Sequence, residues 1–234
     1  HEIKNPLTPI QLSAERLKRK YADRLADDTG LFAQCTDTIV RHVGDIGRMV
    51  DEFSAFARMP APVMAPADIT KLVTDAVGLH RGAFADIEYS LTVPPDPVIV
   101  RCDGRQIGQA ITNILKNAIE AISAKFGPGN DGGTAAGKVE VRLKADADKV
   151  EIEVADNGIG LPQSERHKLT EPYVTTRAKG TGLGLAIVKK IVEDHRGTLA
   201  LSDAPNGGAI VKLIIPVTAG RADPRPEINV QAAQ

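Results

Sequence analysis

Four clusters in this chain have residue types and spacings that could do chemistry. The first is His1-Glu2-Ile3-Lys4-Asn5. On a helix, His1 and Asn5 sit one turn apart on one face. An imidazole with a carboxylate beside it can accept or pass on a group near neutral pH. Pro6 frees the Glu2 carbonyl and Pro9 that of Asn5, so such a helix should bend just past His1. The second cluster is Asn113-Ile114-Leu115-Lys116-Asn117-Ala118, whose two amides share a helix face. Asn is a poor mid-helix residue, so two on one face suggest a polar ligand or a local hydrogen-bond network. The third is Asp156-Asn157-Gly158-Ile159-Gly160, after an expected strand. The fourth is Gly180-Thr181-Gly182-Leu183-Gly184-Leu185, opening an expected helix. Glycine lets backbone approach a ligand closely, and a helix N-terminus offers free amides to phosphate. Taken singly, either glycine cluster reads equally well as a turn.

Two common nucleotide motifs are excluded. Gly132 to Lys138 matches most of a P-loop, but Val139 stands where Ser or Thr is required, and a strand is expected next. Gly180–Gly184 has the wrong spacing for a dinucleotide fingerprint and follows a loop rather than a strand.

The elements that must position these clusters fall into two parts. Residues 1–58 read as a helical hairpin. Ile3, Leu7, Ile10, Ala14, Leu17 and Tyr21 step by four and three, as do Ile39, Val43, Ile46, Val50, Phe53 and Ala57. That heptad seam predicts coiled-coil-like packing, with the polar stretch 22–30 as the turn. Two helices bury little alone, so two chains are expected to pair into a four-helix bundle. With Tyr21 opposite Leu31, His1 opposes residue 51 and the end of the second helix lacks a partner. The first helix is therefore expected to begin at least two turns before His1.

Three prolines in residues 59–66 predict a linker. A mixed α/β domain is expected over 67–216. Its expected elements are a helix over 67–85, strands over 87–93 and 98–102, and a long helix over 103–123. A Gly-rich loop follows at 127–137, then a hairpin of 138–144 and 150–155 with one buried face. A loop over 156–182, a helix through His195, and strands over 198–202 and 209–216 complete it. The tail, 217–234, reads as disordered.

Composition narrows the function classes. The 234 residues carry 29 Lys+Arg and 30 Asp+Glu, a net charge of −1, which argues against nucleic-acid binding through bulk charge. Aromatics are only 3%, so the core must be aliphatic. No run reaches the ~18 apolar residues of a membrane span. Cys35 and Cys102 match no metal spacing and read as small buried apolar residues in a reducing compartment. His42, His80, His167 and His195 read as ordinary, and Glu15, Arg16, Lys18, Arg19 and Lys20 as a solvated face, a possible regulator contact.

In this order, the four clusters resemble the sensor histidine kinases of two-component signalling. His1–Leu7 resembles their H box, Asn113–Ala118 the N box, Asp156–Gly160 the G1 box and Gly180–Leu185 the G2 box. Glu171-Pro172-Tyr173-Val174-Thr175-Thr176 resembles the F box. The resemblance covers residues 1–216, and its wording is most similar to the nitrogen-regulation branch of the family. It implies an α+β architecture: a dimeric hairpin followed by an α/β sandwich of the Bergerat type that binds ATP and Mg²⁺.

By the same resemblance, His1 is the phospho-acceptor, Glu2 its base or orienter, and Asn5 a water-positioning residue for dephosphorylating the regulator. Asn117 is the Mg²⁺ ligand, with Asn113 near the phosphates, and Asp156 accepts from the adenine amino group. Gly158 and Gly160 hinge a lid, Tyr173 takes the F-box position, and Gly180, Thr181, Gly182, Leu183 and Gly184 cap the phosphates. The implied partners are a second copy of the chain and the receiver domain of a response regulator. The implied location is the cytoplasmic portion of a protein anchored in the bacterial inner membrane through upstream segments. Two departures stand out: Tyr173 where Phe is common, and Glu120 where many relatives carry Lys. Lys116, Arg177 or Lys179 would then supply the positive charge. The competing readings are an ATP-driven clamp of the same nucleotide-binding superfamily and a non-catalytic docking module. The hairpin with His1-Glu2 argues against the first, and intact Asn117 and Asp156 against the second.

Overall fold

The computed structural model describes residues 4–21, 31–127, 137–162, 166–172, 174, 181–205 and 207–217. The expected turn at 22–30, most of the Gly-rich loop, the 218–234 tail, His1, Glu2, Tyr173, Arg177, Lys179 and Gly180 lie outside them, as does the side chain of Asn5. Two compact units are present: 1–60 with 171–183, and 61–170 with 184–234.

The first unit contains α1 (Lys4–Tyr21) and α2 (Leu31–Ala57), packed as the expected hairpin. The seam is only half used within one chain. Ala14 and Val43 are buried, whereas Ile10, Leu17, Ile39, Ile46 and Phe53 are each 42–47% exposed. Near the turn, Tyr21 meets Phe32 edge-to-face, centroids 6.5 Å apart, and Lys18 Nζ lies 2.6 Å from Asp37. Glu15 to Lys20 are exposed, as expected of a solvated face. The expectation for Cys35 was wrong, since it is exposed. Its neighbour Thr36 takes the inward position, where its hydroxyl donates to the backbone carbonyls of Phe32 and Ala33.

The second unit starts earlier than the linker reading allows. Ala65–Asp68 forms β1, which pairs antiparallel with β3 (Ile99–Cys102). Asp68 then caps α3 (Ile69–Ala83), its carboxylate accepting from the Lys71 amide at 3.0 Å. The remaining strands are β2 (Ile87–Thr92), β4 (Gly137–Ala145), β5 (Lys149–Asp156), β6 (Thr198–Asp203) and β7 (Ala209–Pro216). They form one sheet in the order β2-β4-β5-β7-β6, parallel only between β2 and β4. Two further helices, α4 (Gly104–Phe126) and α5 (Gly184–Asp194), pack against each other.

Strand alternation decides the faces. Val139, Val141, Leu143, Val150, Ile152, Val154, Val211, Leu213 and Ile215 are buried. The intervening residues carry a charge ladder. Arg142 stands opposite Glu153, which stands opposite Lys212, at 2.8 and 2.6 Å. Aligned opposite charges on neighbouring strands stabilise their register. No helix among the described residues is long and apolar enough to cross a membrane.

Candidate active site

The site grows from the middle of α4, the end of β5 and the start of α5. Along α4, Ile107, Ile111, Ile114, Leu115, Ala118 and Ile122 are buried at helical spacing. Asn113 and Asn117 are half-buried on the flank of that stripe. The Nδ2 of Asn113 is buried and has no hydrogen-bond partner among the described residues. An orphaned buried donor costs about 1–3 kcal/mol, so the position favours a further acceptor. Lys116 and Glu120 are exposed.

Gly184 opens α5 beside Asn117. A Cβ built there would stand 3.7 Å from Asn117 Nδ2 and 3.8 Å from Oδ1. Backbone amides at a helix start, a side-chain amide oxygen and an orphaned N–H donor thus gather in one place. That donor set suits phosphate oxygens and a hard divalent cation. Thr181, Gly182 and Leu183 fall in the first unit, where Gly182 has φ +70° and Leu183 is buried.

Asp156 ends β5 and is buried. Its Oδ1 accepts the Gly158 amide at 2.8 Å and the Ala209 amide at 3.4 Å. A carboxylate only accepts, so this position suits an amino group better than a carbonyl. Behind it the chain is packed to the limit. A Cβ on Gly158 would lie 2.5 Å from the Ala121 carbonyl carbon, and the Ile159 amide donates to the Ala121 oxygen at 3.2 Å. Lys125 reinforces the junction by donating to the Asn157 carbonyl at 2.7 Å. The glycine reading at 158 is therefore one of close approach to α4. At Gly160, φ is +79°.

Sequence reasoning missed three contributors. Gly208, at φ +95°, abuts Asp156 so closely that a Cβ would fall 1.9 Å from the Asp156 carbonyl oxygen. A Gly-Gly pair between two strands was the available signal. Arg166 donates to both carboxylate oxygens of Asp203, at 2.8 and 2.9 Å, and its Nε to the Pro162 carbonyl. It thus ties the segment after Gly160 to the end of β6. His195, read as ordinary, is fully buried, and its Nε2 accepts the Asp103 amide at 2.9 Å. Nothing in the sequence marks that pairing. Cys102 is buried as expected, and burial, aided by the Asp103 charge, pushes its thiol up to about 11.

Comparisons with known proteins match both parts of the chain. Residues 102–219 match the family of histidine kinase-, DNA gyrase B- and HSP90-like ATPases, and residues 1–62 match the His Kinase A (phospho-acceptor) domain. The nitrogen regulation protein NtrY of Azorhizobium caulinodans is 52% identical over 225 residues. That alignment covers 96% of this chain but 28% of the relative. Among solved structures, the mycobacterial sensor histidine kinase MprB shares 34% identity at a TM-score of 0.54, over 66% of this chain and 97% of that one. The histidine kinase ThkA, solved with the response regulator TrrA, has a TM-score of 0.67 over 95% of this chain and 60% of that one. At 23% identity it speaks to the fold alone. A match to the phospho-acceptor domain followed by a match to the ATPase family, with these relatives, makes the chain a member of the sensor histidine kinase family.

Proposed function

We propose that this chain is the kinase core of a sensor histidine kinase. It binds ATP with Mg²⁺, phosphorylates His1, and hands the phosphoryl group to an aspartate in a response regulator. The observation that carries this reading is the gathering of Asn117, the orphaned Asn113 Nδ2 and the start of α5 at Gly184, with Asp156 as a buried acceptor at the end of β5, whose next turn abuts α4 at Ala121.

Bound MgATP supplies an electrophilic terminal phosphorus and a charge-neutralised leaving group. Asn117 would hold the metal through its side-chain oxygen, Asn113 would donate to phosphate, and Asp156 would accept from the adenine amino group. That last contact favours adenine, because guanine presents an acceptor at the same edge. An unprotonated nitrogen of His1 attacks the terminal phosphorus, and the bond to the bridging oxygen breaks. Glu2 orients the ring and takes up charge or a proton at its other nitrogen. Asn5 orients water for the reverse signal, dephosphorylation of the regulator.

The half-open seam, with Ile10, Leu17, Ile39, Ile46 and Phe53 exposed, supports pairing with a second copy into a four-helix bundle. By resemblance to NtrY, the regulator is of the NtrX type, and the core is the cytoplasmic portion of a protein anchored in the inner membrane. The chain spans 28% of that relative's length.

The test is incubation with γ-labelled ATP. Label that is acid-labile, base-stable and lost in His1→Gln is expected. Glu2→Ala should cut labelling, while Asn5→Ala should mainly cut loss of label from the regulator. Nucleotide binding without any label at His1 would refute the kinase reading.

A further inference from the structure

Asp103 and His195 are both buried; Asp103 caps the start of α4 and His195 follows the end of α5, more than two turns along each helix from Asn113, Asn117 and Gly184. His195 follows the last turn of α5. Its Nδ1 is 2.7 Å from the Ile191 carbonyl, and its Nε2 is 2.9 Å from the Asp103 backbone nitrogen. An amide nitrogen only donates, so Nε2 accepts and Nδ1 carries the proton. Both ring nitrogens are used, and the tautomer is set by its partners.

The Asp103 side chain reaches in two further directions. Oδ1 accepts the amides of Arg105 and Gln106 at 3.0 and 3.1 Å, capping α4. Oδ2 accepts the amide of Val63 at 3.1 Å. Burial alone would raise this carboxyl's pKa, but the amides of Val63, Gln106 and Arg105 and the Arg105 charge outweigh it and hold it low. The Val63 side chain is 74% exposed, so the backbone is what this contact holds. The Asp103–His195 pair therefore joins the segment that follows Pro60, the first turn of α4 and the last turn of α5. At its own start α5 meets the middle of α4, where Gly184 faces Asn117.

We propose that Asp103 and His195 are positioning residues that couple the hold on the Val63 amide to nucleotide affinity. They set how α5 lies along α4, and hence how the start of α5 meets Asn117. The inference rests on the nucleotide reading given above. Coupling between two sites is reciprocal in free energy. Whatever factor the Val63 contact adds to nucleotide affinity, bound nucleotide must add to the hold on Val63.

The test uses the whole 234-residue chain. Hydrogen exchange at the Val63 amide is followed with and without Mg²⁺ and a non-hydrolysable ATP analogue, and the analogue's Kd is measured by titration. Bound analogue should slow Val63 exchange roughly fivefold or more. Val63→Pro deletes that donor and fixes φ at 63, leaving the residues of the cap and the histidine unchanged; it should weaken the analogue by the same factor. His195→Gln should abolish the dependence of Val63 exchange on nucleotide. If His195→Gln fails to fold, the agreement between the Val63→Pro affinity and wild-type exchange decides alone. Binding of the analogue with Val63 exchange unchanged, or with Val63→Pro affinity within twofold of wild type, overturns the proposal. Absence of any analogue binding overturns the nucleotide reading itself and takes this inference with it.

Discussion

Gly158→Ala tests the packing behind Asp156. The added Cβ would stand 2.5 Å from the Ala121 carbonyl carbon and 2.7 Å from both the Ala121 oxygen and Cβ. These are backbone atoms inside α4 and its own first side-chain carbon, so no flexible end can swing away. Carbon contacts become comfortable only near ~3.5 Å, so the loop and the helix must part by roughly 1 Å. That separation weakens the Ile159-to-Ala121 hydrogen bond, worth about 1 kcal/mol, and adds an overpacking cost of about 1–3 kcal/mol. The Gly158 amide also fixes Asp156 Oδ1, so the carboxylate shifts with the loop. A loss of about 2–4 kcal/mol is expected, shared between stability and nucleotide affinity, with each 1.4 kcal/mol about tenfold in Kd. Chemical denaturation and titration with a fluorescent ATP analogue measure the two shares. A variant with an unchanged denaturation midpoint that binds nucleotide within twofold of wild type would show that Gly158 is not wedged against α4.

Gly78, by contrast, sits exposed in α3 with nothing within 4 Å of a built Cβ. Gly78→Ala should therefore raise stability by about 1 kcal/mol and leave nucleotide affinity alone, as thermal melting and titration will report. Asp156→Asn keeps an acceptor for the Gly158 amide but presents donors where the adenine amino group would point. ATP affinity should fall by about tenfold or more with little change in melting. Glu153 is buried, which by itself raises its pKa, but hydrogen bonds and charges from Lys212 and Arg142 lower it overall. A depressed folded pKa gives stability that is present above the unfolded value near ~4.3 and lost as pH falls through the folded value. Glu153→Gln should therefore be about 1 kcal/mol less stable than wild type near neutral pH. The gap should close below about pH 4, and a gap of equal size at pH 7 and pH 3 in urea titrations would contradict the charge-ladder account.

Much of the site was legible because it rests on local periodicity. Asn113 and Asn117 share a face in any helix, and the stripe from Ile107 to Ile122 announces that helix. Alternation in 138–144 and 150–155 placed Asp156 at a strand end, where the structure has it. The seams of α1 and α2 were equally plain. Failures came where a residue's partner is remote. The end of the Pro-rich stretch reads as a linker until β3 is beside it, because strand pairing is a property of two segments. Cys35 reads as core by residue type, yet Thr36 turns inward.

Helix and strand periods, caps such as Asp68 and Asp103, and the order of the chemical clusters are properties of contiguous residues, so the chain alone determined the helical part, the α/β part and the residues proposed to face a nucleotide. Tertiary structure alone decided that β2 runs parallel to β4, that Gly208 must be glycine because Asp156 lies against it, and that His195 and Asp103 share a proton-specific contact across 92 positions. Those facts depend on which distant segments exclude water from one another. Burial then makes each backbone amide and each missing Cβ count, which no reading of neighbours along the chain can supply.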